Sequence, residues 1–165
     1  MPPEDDLLAQ LYDSFKNRAM IYYLLYQELR DDLGAERAEE LMQRAIYRRG
    51  AQKGPKYERF APDDFDGLCE AFLGGIADEG RMFAPEVLAS GPDGLDIKFH
   101  RCPLKEAWLE AGLPEDEVAA LCRIAARIDN GQFEAAGFNF WADTFQPGGE
   151  GCCYLHIRPG PPKKA

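Results

Sequence analysis

The sequence predicts an α+β fold: N-terminal helices packed on a mostly antiparallel sheet, with inserted helices and a C-terminal hairpin. Three observations predict it. Apolar residues recur at three- and four-residue steps through the first third of the chain, as a buried helical face requires. The period then changes to two over Leu95–Cys102. Near the end, two aromatic and β-branched runs flank a Gly-rich loop, which is hairpin chemistry. The 165 residues suit a single domain, 1–165, with 1–6 and 159–165 expected to fray.

Each element follows in order. Leu7, Leu8, Leu11, Phe15, Tyr22, Leu25, Tyr26, Leu29 and Leu33 mark the first helix, stopped by Gly34. Its stretch Met20–Tyr26 is apolar on nearly every side, so a core or a partner subunit must cover it. A second helix runs from about Ala35 to Gln52, with Ala38, Leu41, Met42, Ala45 and Ile46 inward. Residues 53–61 read as a connector. A third helix opens at Pro62-Asp63-Asp64 and carries Phe65, Leu68 and Phe72. Pro85, Gly91, Pro92 and Gly94 break the segment Ala84–Gly94, which reads as loop or short turns. In Leu95–Cys102, Leu95, Ile97 and Phe99 point one way and Asp96, Lys98, His100 and Cys102 the other. Helices follow at Leu104–Ala111 and from Pro114 through Ala125, with a turn at Asn130-Gly131. Strands at Phe138–Phe145 and Cys152–Arg158 close the chain.

Composition narrows the function. Hydrophobic residues at 45% and aromatics at 12% exclude global disorder. A net charge of −10 argues against non-specific nucleic-acid binding, which needs a basic face. No apolar run approaches the ~20 residues of a membrane span. The start MPPEDDLL lacks a basic n-region, and five cysteines suit reduced thiols, so a cytoplasmic protein without membrane contact is expected. P-loop, Rossmann, G-x-S-x-G and H-E-x-x-H patterns are all absent.

Three constellations carry chemistry. His100 and Cys102 share one strand face, and Cys152, Tyr154, His156 and Arg158 share another. If the strands are neighbours, His100, Cys102, Cys152 and His156 form either a zinc tetrad or a metal-free reactive site. The bland alternative is buried thiols beside hydrogen-bonded histidines. The stretch from Arg44 to Arg59 carries six cations against Glu58. Arg44 and Arg48 face one way on their helix, as a wall for an anionic ligand or as a solvated helix end. Asn139, Trp141 and Asp143 share a strand face and suit a pocket with a few orienting polar groups. Asp129-Asn130-Gly131 reads as a turn.

The stretches RAMIYYLLYQELRDDLGAERAEELMQRAIYRRGAQKG, FHRCPLKEAWLEAGL, LCRIAARIDNGQFEAAGFNF and ADTFQPGGEGCCYLHI together resemble the L-2-amino-thiazoline-4-carboxylic acid hydrolase family. In the C-terminal half, Cys102-Pro103, Cys122 and Gly149–Cys152 also resemble vinyl-reductase-type small-molecule-binding domains. The first resemblance implies ring-opening hydrolysis of a cyclic amidine-like thiazoline to N-carbamoyl-L-cysteine. Such a reaction needs a cation for the carboxylate, and a base or a nucleophile for C2.

The residues suggest these roles. Cys102 is expected as nucleophile or acid, with His100 or His156 setting its protonation and Cys152 as its competitor. A water-based alternative uses His156 with Asp143. Arg44 and Arg48 would hold the carboxylate of a small substrate, with Asn139, Trp141 and Tyr154 lining the pocket. No cofactor and no required metal are expected, and a homodimer or higher oligomer is. The rival readings are a non-catalytic binding or sensory domain and a pure dimerisation scaffold.

Overall fold

A computed structural model describes residues 3–161. Helix α1, Glu4–Leu33, is joined through Gly34 to α2, Ala35–Ala51. A 3-10 turn over Gly54–Phe60 leads to α3, Phe65–Leu73. Asp64 caps α3, its side chain accepting from the Gly67 amide at 3.0 Å. Strands β1, Pro85–Gly91, and β2, Gly94–Phe99, precede α4, Pro103–Glu110, and α5, Glu115–Ala135. Strands β3, Asn139–Asp143, and β4, Tyr154–Arg158, complete one antiparallel sheet of order β1-β2-β4-β3. The α+β class read from the sequence is therefore observed.

The pleat sorts the sheet into two faces. Leu95 pairs with Ile157 and Ile97 with Leu155, all four buried against the helices together with Phe140. Asp96 and Trp141 flank His156 across the other face, and Lys98 and Asp143 flank Tyr154. On the helical side, Phe133 near the end of α5 meets Phe72 at 5.0 Å, Phe140 at 5.2 Å and Tyr57 at 5.7 Å between ring centroids. Trp108 of α4 is fully buried and donates its indole N–H to the Ala19 carbonyl at 2.7 Å, tying α4 to α1.

Three expectations need correction. Ala84–Gly94 is no loop: β1 occupies most of it. Pro85 is tolerated because it begins an edge strand, where a missing N–H breaks little of the ladder, and Pro92 sits in the turn between Gly91 and Gly94. The connector over residues 53–61 is wound into the 3-10 turn. Asn130-Gly131 is not a turn but the interior of α5. Residues 4–6 belong to α1, which starts at Glu4, rather than to a terminal tail. Residues 159–161 follow β4 as bends, and the expectations for 1–2 and 162–165 lie outside the described residues.

The reason Gly131 is helical lies in its neighbour. A Cβ at Gly131 would sit 2.1 Å from the Tyr47 carbonyl oxygen, and one at Gly50 would sit 2.0 Å from the Ile128 carbonyl oxygen. Helices α2 and α5 therefore cross backbone to backbone at this glycine pair. Arg123 brackets Glu39 with two bonds of 2.7 and 2.8 Å, and Tyr47 donates to Glu134 at 2.8 Å, so both sides of the crossing are pinned. On an open helix, Gly→Ala would stabilise by about 1 kcal/mol. Here the added methyl must push two backbones apart, and overpacking costs about 1–3 kcal/mol. Gly131→Ala is thus expected to lower the urea midpoint. A raised midpoint would mean that the helices do not touch.

Candidate functional site

The elements enclose a cavity of about 410 Å³ bounded by α1, the 3-10 turn, the loop before β1, the start of α4, α5 and the residues just before β4. Its lining falls into two ends joined by aromatic rings. One end is charged and the other carries thiols.

At the charged end, α5 presents Asp129 and Gln132, and Lys53 and Lys56 come from the chain just beyond α2. Gln132 donates its side-chain amide to Asp129 Oδ1 at 2.6 Å. Burial pushes the Asp129 carboxyl up to about 7, although Lys53 and the Gln132 hydrogen bond pull the other way. Burial also holds the Lys53 ammonium below its ordinary value; Lys56, Arg49 and Arg18 push the same way, and Asp129 opposes them. The Arg18 guanidinium lies 4.5 Å from the Phe15 ring centroid, and the Lys56 ammonium lies 4.5 Å from that of Tyr57. This end therefore combines an excess of cations with a carboxyl that exchanges its proton near neutrality. The second is the pairing expected of an acid–base residue.

At the other end, Cys102, Cys122, Cys152 and Cys153 line the wall. All are free, and the Cys152 and Cys153 sulfurs lie 3.1 Å apart. The hydrogen bond to Cys152 and burial hold the Cys102 thiol well above its ordinary range. Burial pushes Cys122 up to about 12. For Cys152 the bond to Cys102 pulls down, but the bond to Cys153 and burial outweigh it. Cys102, Cys122 and Cys152 are therefore protonated thiols at neutral pH and behave as small apolar groups.

The structure separates residues that the sequence placed together. The strand ends at Phe99, so His100 and Cys102 do not share a face. His100 is exposed and bonds Glu86 at 2.7 Å, whereas Cys102 turns inward as the residue just before α4. Likewise Cys152 precedes β4 and faces the cavity, while His156 lies on the outer sheet face. His156 Nδ1 is 2.7 Å from Asp96 and Nε2 is 3.1 Å from Asp143, and the ring stacks on Trp141 at 5.0 Å. Tyr154 and Asn139 are outer-face residues too, with the Lys98 ammonium 3.8 Å from the Tyr154 ring centroid. Cys102 and Cys152 thus meet each other but neither histidine. Among the described residues no group of three or more His, Cys, Asp or Glu is placed to hold a metal ion.

Arg44 and Arg48 are exposed on α2, with Arg44 3.8 Å from Glu40, and neither lines the cavity. The later cations of the same run, Lys53 and Lys56, do. The turn-like composition of Asp129-Asn130-Gly131 hides Asp129 in the sequence. One signal did mark it: Cys122, Ala125, Asp129 and Gln132 step by three and four along one helix face, which puts a carboxyl on an apolar stripe.

The model of the L-2-amino-thiazoline-4-carboxylic acid hydrolase family matches residues 14–157. The chain belongs to that family. No curated protein matches it. Among solved structures, this family member is similar to the phenol-responsive sensory domain of the transcription activator PoxR, determined with phenol. The TM-score is 0.59 at 18% identity, over 85% of this chain and 73% of the other. At that identity the likeness concerns the fold. Among the described residues no helix is long and apolar enough to cross a membrane.

The Asp129 carboxyl has a stability signature. Its folded value of about 7 exceeds the ordinary 3.8, so the folded state keeps a proton that the unfolded state loses between those values. Stability contributed by this group is present below pH 4 and is lost as the pH rises towards 7. Asp129→Asn should therefore melt like the parent at pH 4 and above it at pH 8. Parallel melting curves at both pH values would show that the carboxyl is not perturbed.

Proposed function

We propose that this chain is a small-molecule hydrolase that opens a carboxylated thiazoline-type ring inside the cavity, with Asp129 carrying the proton. The observation that supports the reading is Asp129 itself, a carboxyl titrating at about 7 beside Lys53 on the wall of the cavity. Lys53, Lys56 and Arg18 hold the substrate carboxylate, and Gln132 fixes the Asp129 carboxyl. Ionised Asp129 takes a proton from water as its oxygen attacks C2 of the ring. It passes that proton to the ring nitrogen released from the C2=N bond. The C2–S bond then breaks as the new C2 hydroxyl becomes a carbonyl, and the hydroxyl proton goes through Asp129 to the departing sulfur. With L-2-amino-thiazoline-4-carboxylate the product is N-carbamoyl-L-cysteine. A group titrating near the working pH suits both transfers. This assignment replaces the Cys102 nucleophile, because a thiol held protonated by Cys152 and burial is a weak attacker. The free thiols support a reducing compartment, the cytoplasm, as its setting.

Incubation with L-2-amino-thiazoline-4-carboxylate should release free thiol, with kcat/KM rising through pH ~7 as Asp129 ionises. Asp129→Asn should lose about 10²–10⁴-fold, the typical worth of a positioned acid–base group. Cys102→Ser should lose far less. The reverse order of the two losses would return the reaction to the thiol.

The second reading is a non-catalytic binding domain. It is supported by the shared fold with a sensory domain and by the largely apolar cavity wall. Saturable binding of the thiazoline without turnover would favour it.

We also propose a homodimer through α1. Ile21, Leu24 and Leu25 are each about half exposed on this helix, and symmetric pairing is the commonest way to cover such a face. Leu25→Glu should convert a dimer in sedimentation to a species of 18.5 kDa. A parent protein that already sediments at that mass would overturn this.

A further inference from the structure

The cavity is longer and more apolar than a small charged heterocycle needs. Cys122 and Asp129 stand on one face of α5, seven residues apart, which is roughly 10 Å at 1.5 Å per residue. The charged end and the thiol end are therefore separated by about the length of a ring plus a short acid chain. Counting roughly 30 Å³ per water-sized group, 410 Å³ holds on the order of a dozen such groups. L-2-Amino-thiazoline-4-carboxylate has only about nine non-hydrogen atoms, nearly all of them polar or beside a polar atom, and the charged end alone can serve these.

The thiol end offers few free polar groups. The thiols of Cys102, Cys122 and Cys152 are protonated. The Trp108 N–H is already spent on Ala19, so the indole presents only its ring. Phe72 and Phe99, with centroids 6.2 Å apart, form another wall. Among the described residues the sole buried side-chain nitrogen or oxygen without a partner is Arg127 Nε, and Arg127 does not line the cavity. An apolar void of about 150 Å³ is already enough to take a benzene ring.

We infer that the substrate is an aryl- or alkyl-extended carboxylate, its acid group at Lys53 and Lys56 and an apolar ring-sized group among Trp108, Phe99 and the thiols. The inference rests on the proposed use of this cavity but names the occupant of its other end. The test is calorimetric binding of three probes to the full chain: 3-phenylpropionate, propionate and 3-phenylpropanol. 3-Phenylpropionate should bind tighter than propionate by about tenfold or more, because even one methylene in an apolar pocket is worth about 10–200-fold. It should also bind tighter than the alcohol, which lacks the charge. Cys122→Met, which pushes bulk into the apolar end, should shrink the ratio of phenylpropionate to propionate affinity. Cys153→Leu serves if that variant fails to fold. Equal binding of propionate and 3-phenylpropionate overturns the inference whether or not the thiazoline is hydrolysed. Selective binding of 3-phenylpropionate with no hydrolysis of the thiazoline supports it and instead defeats the hydrolase reading.

Discussion

The contact on which the rest depends is the crossing of α2 and α5 at Gly50 and Gly131, where neither position has room for a Cβ. Once Gly50 lies against Ile128 and Gly131, the chain leaving α2 has little freedom. Three residues later Lys53 must arrive beside Asp129 and Gln132, and the 3-10 turn must carry Tyr57 under Phe133. A wider crossing would hydrate Asp129 more fully and bring its carboxyl back towards the ordinary range. The same helix runs from Cys122 to Asp129, so one rigid rod supplies a wall to both ends of the cavity. Packing at two glycines thus sets the electrostatics of a site that contains neither.

Electrostatics at the charged end reflect a compromise. Burial drives Asp129 and Lys53 in opposite directions, the acid up and the base down, and both moves favour the neutral forms. Their mutual attraction opposes this without overcoming it. A fully solvated pair would be ionised and inert near pH 7, while a deeply buried, well-matched pair would be locked. Asp129 lies between these limits, where a proton moves with little cost in either direction. The outer sheet face makes the contrast. There burial pushes the Asp96 carboxyl up, but Arg158, at 2.9 Å, and His156 outweigh it and hold it below its ordinary value. Asp96 stays charged, in a cluster open to solvent that includes a mostly exposed Asp143.

The helical half and the closing hairpin were legible because their signals are local. Helix stops place the end of α1 and both ends of α2 to within a residue or two, and Leu95, Ile97 and Phe99 are buried as alternation required. Where the structure departs from the local pattern, the cause is shared: a distant contact takes over from local chemistry. Asp129-Asn130-Gly131 has turn composition, yet Gly131 is there for Tyr47, 84 positions earlier in the chain. Pro85, Gly91 and Gly94 look like breakers until β2 makes β1 an edge strand. Alternation carried through to Cys102 assumes a strand that had ended at Phe99. The basic run was visible, but which of its cations turn inward depends on where α2 stops, and that is set by the crossing.

These corrections change the character of the chemistry as well as its address. A site of Cys102, His100 and His156 would have been a nucleophile–base arrangement built on a sheet. The structure instead places both histidines outside, on carboxylates, and leaves the buried thiols without any base to ionise them. What remains inside is one carboxyl with a near-neutral proton, a group of cations and a long apolar wall. Such a set can orient an anion, activate a water and shelter a hydrophobic group, three tasks that need no covalent intermediate. The thiols then matter for being unreactive: protonated sulfur gives the cavity a polarizable, adaptable lining that an ionised cysteine would not.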